Sequence, residues 1–212
     1  MILPRFYPIL DTETAARFGV PPIAAAAQIL EAGAKILQFR HKGFFSREIV
    51  ETIVRIAAMC RDAGTLFVVN DRADIARVVG AALHLGQDDL APTLARRIAP
   101  AGAFIGYSTH NEAQLRAADG EPADYLALGP IFDTTSKRNP DPVVGVEQLG
   151  LWRPLSRVPL VAIGGITRAN AIQIFAAGAD SVAIVGDLFP DLRARTAEWI
   201  ALTSGFSSSG NS

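Results

Sequence analysis

A row of polar residues at alternate positions, Gln38, Arg40 and Lys42, overlaps the end of a short apolar run that begins at Ile36. Alternate residues of an extended chain point to the same side, so an amide and two cations converge there. An arginine side chain chelates two oxygens and a lysine adds a point charge, so the row suits a multiply charged oxyanion such as pyrophosphate. The alternative is a solvated strand end whose charges form surface ion pairs.

Two carboxylates, Asp71 and Asp89, follow the next two apolar runs of the chain. Pointing into the mouth of the barrel, they would offer hard oxygen ligands with no histidine or cysteine nearby, which is the donor type that Mg²⁺ prefers. Magnesium completes its shell with waters and substrate phosphates, so two aspartates suffice. The alternative is that Asp71 caps a helix predicted to begin near Ala73 and that Asp88 or Asp89 caps one predicted to begin near Pro92.

Glycines and other main-chain amides follow the last two apolar runs, at Gly164 and Gly165 and at Val185 and Gly186. The amides of these two loops form a common phosphate site in barrel enzymes, so one phosphate is expected there. The alternative for the glycine pair is a tight turn before a helix that begins near Arg168. Neither GxGxxG nor GxxxxGK[ST] occurs, so a dinucleotide fold and a P-loop have no support.

The three histidines, His41, His84 and His110, are scattered and lack the helical spacing of a zinc site. His84 alternates with leucines, which predicts a hydrogen-bonded residue of the barrel rather than a catalyst. His110 lies two residues after Ser108, but no acidic partner with a nucleophile elbow accompanies it, so a serine hydrolase is not predicted.

Eight short apolar runs alternate with segments of helical spacing, which predicts alternating strands and helices. The runs begin at Phe6, Ile36, Leu66, Ala82, Phe104, Tyr125, Leu160 and Ser181. Several helical segments end at a glycine that tolerates the left-handed conformation, namely Gly33, Gly64, Gly80 and Gly178. Nearly continuous apolar strands indicate a parallel sheet covered by helices, so we predict an α/β fold, a single (β/α)8 TIM barrel. A doubly wound sheet is the alternative.

The composition favours one domain in a reducing compartment. The 212 residues are 50% apolar, and we predict a catalytic barrel over residues 1–203 with a flexible tail over 204–212. A net charge of -1 offers no basic field for nucleic acid or an anionic membrane, so the expected partners are small molecules. A single cysteine and no apolar run of about 18 residues predict a cytoplasmic protein without disulfides or membrane spans. Assembly into a homo-oligomer stays open.

With these residues laid out, the chain resembles the thiamin phosphate synthases over about residues 5 to 202. Six segments, occurring in order, carry the resemblance. They are LQFRHK from Leu37, VVNDR from Val68, LHLGQDDL from Leu83, IGYSTH from Ile105, LGPIFDTTSK from Leu128 and VAIGGI from Val161.

The resemblance implies a magnesium-dependent transferase that joins 4-amino-2-methyl-5-(diphosphomethyl)pyrimidine to a thiazole phosphate by a dissociative substitution. It implies that the pyrimidine pyrophosphate is bound by Gln38, Arg40, Lys42, Asn70, Ser108 and Lys137. Magnesium would be bound by Asp71 and Asp89, and the thiazole phosphate by Thr134, Ser136, Gly165, Val185 and Gly186. The catalytic residues would be Arg40, Lys42, Ser108 and Lys137.

Two residues depart from the pattern of the family that the chain resembles. His41 stands where the family commonly has an acidic residue between the arginine and the lysine, and alternation predicts that it points away from the site. Gly186 stands where many members have a serine, so one hydroxyl donor to the thiazole phosphate is lost while the main-chain amide remains.

Three other functions are weighed against the synthase. A thiazole tautomerase would keep the phosphate site but lack the pyrophosphate residues, which are all present here. A Schiff-base aldolase would use Lys42 or Lys137 as nucleophile, but neighbouring carboxylates favour the ammonium over the neutral amine, and borohydride trapping would reveal it. Only an activity assay distinguishes the synthase from a barrel that binds thiamin phosphate without turnover.

Overall fold

Eight parallel strands close into a barrel in which neighbours in the chain are neighbours in the sheet. The computed structural model describes residues 2–134 and 141–205. The strands are β1 (Phe6–Asp11), β2 (Ile36–Arg40), β3 (Leu66–Asn70), β4 (Ala82–Leu85), β5 (Ile105–Thr109), β6 (Tyr125–Leu128), β7 (Leu160–Ile163) and β8 (Ser181–Ile184). Each predicted run forms a strand, and the (β/α)8 barrel is confirmed. The doubly wound alternative is wrong because β1 pairs with β8 as well as with β2.

Helices cover the outside of the barrel between the strands. In the described ranges they are α1 (Thr12–Arg17), α2 (Pro22–Glu31), α3 (Arg47–Asp62), α4 (Ala73–Val79), α5 (Pro92–Ala95), α6 (Glu112–Ala118), α7 (Val146–Trp152), α8 (Ala171–Ala176) and α9 (Leu192–Ser204). Short 3-10 turns cover Arg153–Leu155 and Gly186–Leu188. The four predicted helix-ending glycines are left-handed, with φ angles of 94°, 63°, 68° and 97°.

The helix α3 shows why the sequence forms these elements. It begins after Ser46, whose side chain accepts a hydrogen bond from the main-chain amide of Ile49 at 3.3 Å. Its buried residues are Ile53, Ile56, Ala57 and Cys60, which recur at helical spacing and form one stripe against the sheet.

Apolar residues pack in two regions, one between the sheet and the helices and one inside the barrel. In β2, Leu37 and Phe39 belong to the outer region while Ile36 belongs to the inner one. Alternation therefore places Gln38 and Arg40 on the inner side with Ile36, which is what brings them to the mouth of the barrel.

The last helix seals the junction between the first and last strands. Trp199 in α9 is fully buried and stacks on Phe6 of β1, with ring centroids 5.8 Å apart. The helix ends at Ser204, and residues 206–212 of the predicted tail lie outside the described residues. Over the described residues, none of the helices combines the length and apolar character that crossing a membrane requires.

Candidate active site

A cavity of about 810 Å³ opens at the carboxyl ends of the strands. It is lined by every predicted site residue that the structure describes, namely Gln38, Arg40, Lys42, Asn70, Asp71, Asp89, Ser108, Thr134, Gly165, Val185 and Gly186. The predicted residues Ser136 and Lys137 lie outside the described residues. Cations and carboxylates from β1 to β4 form one side of the cavity, and the turns after β7 and β8 form the other.

Arg40 is held by a carboxylate that is not among the predicted site residues. Its guanidinium donates a hydrogen bond to Asp11, which ends β1 and is 2% exposed. Asp11 also caps α1, because its other oxygen accepts from the amide and the hydroxyl of Thr14 at 2.8 and 2.7 Å. Applying the strand-end rule to the first apolar run would have found Asp11, since it directly follows that run.

Lys42 and Asp71 meet across the mouth of the cavity, with Lys42 Nζ 2.6 Å from Asp71 Oδ2. Asp71 has a φ angle of 65°, a left-handed conformation that is uncommon for residues other than glycine and that recurs at functional sites. The backbone is held there because the amide of Asp71 donates to the carbonyl of His84 at 2.8 Å. The side chain is thereby directed over the strand ends, where it lines the cavity.

The carboxyl group of Asp71 is in an environment that disfavours its charge. Burial raises its pKa from 3.8 to about 6, the nearby Asp89 carboxyl adds to the shift, and Lys42 opposes it. Two carboxylates crowded in a half-buried site are an arrangement that a bound cation relieves.

Neither aspartate caps a helix, so the alternative of helix capping is wrong for both. The residue before α4 is Arg72 and the residue before α5 is Ala91, and neither helix receives a side-chain cap. Asp89 Oδ2 instead accepts from the amide of Gly86 at 2.7 Å, which ties the carboxylate to the end of β4.

Ser108 and Asn70 present polar atoms from the floor of the cavity. Ser108 Oγ lies 2.9 Å from His84 Nε2, and His84 Nδ1 lies 2.9 Å from the hydroxyl of Tyr125. The prediction that His84 is a hydrogen-bonded barrel residue is confirmed. Asn70 Nδ2 is buried and has no hydrogen-bond partner among the described residues, so it is a donor available to a ligand.

The glycine pair after β7 is needed for close packing of the loop that follows β6. Gly164 and Gly165 have φ angles of 96° and 64°. A Cβ atom on Gly165 would lie 2.5 Å from the carbonyl oxygen of Asp133, and one on Gly164 would lie 2.6 Å from Pro130. The pair does not lead directly into a helix near Arg168, because α8 begins only at Ala171.

An Asn170 turn explains the delay of that helix. Asn170 Oδ1 accepts from the amide of Thr167 at 2.8 Å, and its Nδ2 donates to the carbonyl of Gly165 at 3.1 Å. Such local side-chain bonds compete with helix formation and keep residues 167–170 in a turn. The glycine loop is thereby fixed at the cavity wall.

The turn after β8 is anchored by a half-buried ion pair. The carboxylate of Asp187 forms an ion pair with Arg168 at 3.0 Å and accepts a hydrogen bond from Trp199 Nε1 at 2.9 Å. Gly186 precedes it, and a Cβ atom there would meet nothing within 4 Å. A serine would therefore fit at Gly186, so packing does not demand this departure from the family's pattern.

The two remaining histidines are placed differently. His41 does not line the cavity over the described residues, since its ring contacts Thr12 Oγ1 at 2.8 Å and the carbonyl of Phe44 at 3.2 Å. The prediction that His41 points away is confirmed. His110 lines the cavity and its Nδ1 donates to the carbonyl of Gly129 at 2.6 Å, whereas Ser108 contacts His84 instead. Ser108 and His110 therefore do not form a nucleophile and base pair.

A closed (β/α)8 barrel that gathers charged side chains and glycine turns at the carboxyl ends of its strands has the architecture of a barrel enzyme. The model of the thiamine monophosphate synthase family matches residues 6–188, and the chain belongs to this family. It is accordingly a transferase of thiamine biosynthesis.

Similar proteins agree with this membership. The chain is 45% identical over 206 residues to a thiamine-phosphate synthase of Koribacter versatilis, covering 94% of this chain and 96% of the relative. It is 46% identical over 154 residues to one of Methanoculleus marisnigri, covering 72% and 73%. The solved thiamine phosphate pyrophosphorylase of Pyrococcus furiosus superposes with a TM-score of 0.83 at 30% identity, covering 95% of this chain and 96% of that one.

Proposed function

We propose that the chain condenses 4-amino-2-methyl-5-(diphosphomethyl)pyrimidine with a thiazole phosphate, in a Mg²⁺-dependent reaction that yields thiamin phosphate and pyrophosphate. One observation carries the proposal: cations beside paired carboxylates line one side of the cavity, and glycine turns line the other. A donor with a pyrophosphate and an acceptor with a phosphate need anion sites on both sides of one cavity.

The pyrophosphate of the donor is assigned to the side formed by β2 and β3. Arg40 is half-buried and fixed by Asp11, so its guanidinium is orientated before a ligand arrives. Lys42 is more exposed and adds a point charge beside Asp71. Asn70 supplies its unpaired amide donor, and Lys137 is assigned to the same pyrophosphate by resemblance.

The residues present fit a magnesium ion. Asp71 and Asp89 offer only oxygen ligands and both line the cavity. Burial, and after it the neighbouring Asp89 carboxyl, raises the pKa of Asp71, so a divalent cation would relieve unfavourable charge. When bound, Mg²⁺ neutralises negative charge on the pyrophosphate leaving group.

The reaction breaks one bond and forms one. The methylene carbon to oxygen bond of the donor breaks heterolytically, and pyrophosphate leaves with the electron pair. The remaining pyrimidinylmethyl cation is stabilised by its own amino group, and the lone pair of the thiazole nitrogen then forms the new carbon to nitrogen bond. The chain positions both partners and stabilises charge with Arg40 and Lys42, so no nucleophilic side chain is required.

The phosphate of the acceptor is assigned to the opposite wall. Thr134, Gly165, Val185 and Gly186 line that wall, and their main-chain amides and the Thr134 hydroxyl are the donors that we assign to the phosphate. Ser136 joins them by resemblance alone. Main-chain amides at such turns bind phosphate without a charged side chain.

An assay of the purified chain tests the proposal. We expect thiamin phosphate, detected as its fluorescent oxidation product, to form from both substrates only when Mg²⁺ is present. Asp71→Asn should lower the rate at least about 100-fold, as loss of a group that positions charge in a transition state does. The matched control is Asp74→Asn, because Asp74 is exposed and pairs with Arg72 outside the cavity.

The other outcomes of this assay each contradict the proposal in a recognisable way. A folded chain that makes no product but isomerises a thiazole phosphate would be a tautomerase. Borohydride trapping of a keto acid at Lys42 would indicate an aldolase, which would first have to break the 2.6 Å contact between Lys42 and Asp71. Binding of thiamin phosphate without turnover would indicate a barrel that binds this ligand but does not catalyse the condensation.

A further inference from the structure

A continuous chain of hydrogen bonds crosses the barrel interior beneath the cavity. Its links are Gln38 Nε2 to Tyr7 OH at 2.9 Å, Tyr7 OH to Tyr125 OH at 2.8 Å, Tyr125 OH to His84 Nδ1 at 2.9 Å, and His84 Nε2 to Ser108 Oγ at 2.9 Å. The described lining of the cavity includes both ends of this chain and His84, but neither tyrosine. The tyrosines can therefore act on a ligand only through their neighbours.

The barrel is built to accommodate this chain. Gly106 of β5 lies under the ring of Tyr125, and a Cβ atom there would fall 2.0 Å from Tyr125 Cζ. The same ring stacks on His84 with centroids 5.6 Å apart and on Phe104 at 5.3 Å. Tyr125 is 1% exposed, so its hydroxyl has a fixed position in a region closed to water.

The hydrogen bonds run in one direction. Burial raises the pKa of both Tyr7 and Tyr125, so each remains a phenol with a single proton to donate. The hydroxyl of Tyr7 accepts from the amide of Gln38, and among the described residues its one other hydrogen-bond partner is the hydroxyl of Tyr125, so we direct the Tyr7 proton to Tyr125. Tyr125 in turn directs its proton to Nδ1 of His84.

This direction determines the state of His84 and of Ser108. With Nδ1 accepting, the single proton of the neutral imidazole is on Nε2 and is donated to Ser108 Oγ. We propose that Tyr7, Tyr125 and His84 are positioning residues that turn the hydroxyl proton of Ser108 into the cavity, toward an acceptor atom of the bound pyrimidine pyrophosphate. This inference rests on the proposed function for the identity of that ligand, but not for the direction of the chain.

The tautomer of His84 tests the direction without any substrate. In ¹⁵N spectra of the folded, ligand-free protein, with the signals assigned by His84→Gln, we expect His84 to carry its proton on Nε2. Tyr125→Phe removes the donor to Nδ1, so the Nδ1 signal should shift. Tyr107→Phe is the matched control, because Tyr107 is the third of three tyrosines and does not belong to the chain. The proposal would be overturned by a proton on Nδ1 of His84, or by His84 ¹⁵N signals that are unchanged in Tyr125→Phe.

A double-mutant cycle tests whether Tyr125 acts through Ser108. Tyr125→Phe should lower kcat about tenfold, which is the loss expected for one misdirected hydrogen bond in a transition state. The same change in a Ser108→Ala background should cause no further loss, since there is no hydroxyl left to orient. If the kcat losses of Tyr125→Phe and Ser108→Ala multiply in the double variant, the proposal is contradicted.

Two measures keep the outcomes separate. If Tyr125→Phe does not fold, Tyr7→Phe replaces it, because it breaks the row of hydrogen bonds one link farther from Ser108. Its effect on kcat should likewise disappear in the Ser108→Ala background. If the protein forms no thiamin phosphate at all, the proposed function fails. The ¹⁵N spectra then still decide whether the proton of His84 is on Nε2.

Discussion

Asp71 combines a left-handed backbone, a half-buried carboxyl group and a second carboxylate nearby. Each of these features costs stability, and Lys42 compensates for only part of the charge. Residues held in such conformations mark positions where the surrounding structure serves a ligand rather than the fold. The consequence is measurable as a dependence of stability on pH.

The pKa of Asp71 is about 6 in the folded chain against 3.8 for its ordinary value. Between these values the folded chain binds more protons than the unfolded chain, so this group makes the free energy of unfolding fall as pH rises from 3.8 to about 6. We expect Asp71→Asn, in metal-free buffer at neutral pH, to be more stable than the parent by on the order of 1 kcal/mol, a value reduced for solvent screening.

Urea unfolding of both proteins across this pH range checks the prediction, and parallel stability curves would contradict it. Protons also compete with the metal for the same carboxylate. Below the pKa of Asp71, the apparent affinity for Mg²⁺ should therefore weaken about tenfold per pH unit, as titration calorimetry would show.

Asp11 combines two roles that a substitution can separate, the cap of α1 and the charge beside Arg40. Asp11→Asn keeps an oxygen to cap α1 but removes the charge that holds Arg40, so stability should change little while kcat/KM falls about tenfold to 100-fold. Asp191→Asn is the matched control, since Asp191 caps α9 through the amide of Ala194 at 3.0 Å without contacting the cavity. Equal kinetic effects of the two changes would show that Asp11 serves only as a cap.

Residue types at strand ends predicted which side chains line the cavity, because alternation along β2 and the polarity of a barrel leave few choices. They could not predict the partners. Asp11 and Arg40 are 29 residues apart, and Tyr7 and Tyr125 are 118 residues apart. Such contacts depend on closure of the barrel and on the length of each side chain, and neither leaves a local signal in the sequence.

At the scale of elements, the loop that follows β6 lies on the glycine turn after β7. The amides of Ile131 and Phe132 donate to the carbonyls of Ile163 and Gly164 at 2.9 and 3.0 Å. The described part of this loop ends at Thr134, which lines the cavity. The two segments therefore position the proposed phosphate site jointly.

Gly165→Ala tests this joint role. The new Cβ atom would meet the carbonyl oxygen of Asp133 at 2.5 Å in a backbone of φ 64°, so we expect a loss of about 1 to 3 kcal/mol in unfolding free energy. The KM for the thiazole phosphate should rise more than the KM for the pyrimidine pyrophosphate.

The matched control for Gly165→Ala is Gly150→Ala. Gly150 lies within α7, and a Cβ atom there would have its nearest contact at 3.8 Å, so alanine should be neutral or stabilising. An equal rise of both KM values in Gly165→Ala would contradict a specific role of the glycine turn in the acceptor site.

The existence of each strand could be predicted from the sequence more accurately than the residue at which a helix begins. Every apolar run became a strand because parallel barrel strands are buried on both faces and leave a continuous apolar signal. The start of α8 was predicted near Arg168 but lies at Ala171, since the side chain of Asn170 holds a turn that hydrophobic periodicity does not report.

At the scale of the whole molecule, one side chain links barrel closure to the cavity. Trp199 stacks on Phe6, in the strand that pairs with β8, and its Nε1 donates to Asp187 at 2.9 Å. Asp187 directly follows Gly186, whose amide is assigned to the acceptor phosphate. Packing at the outer surface of the sheet and ligand binding at its carboxyl end should therefore respond together.

Trp199→Phe keeps an aromatic ring on Phe6 but removes the donor to Asp187, so we expect a loss of about 2 kcal/mol in unfolding free energy. Affinity for the thiazole phosphate should fall at the same time, while affinity for the pyrimidine pyrophosphate is kept. Trp152→Phe is the control, because Trp152, the other of the two tryptophans, is half-buried in α7. Unfolding curves and equilibrium binding measure both effects, and a loss of stability without a change in thiazole phosphate affinity would show that barrel closure and the phosphate turn are independent.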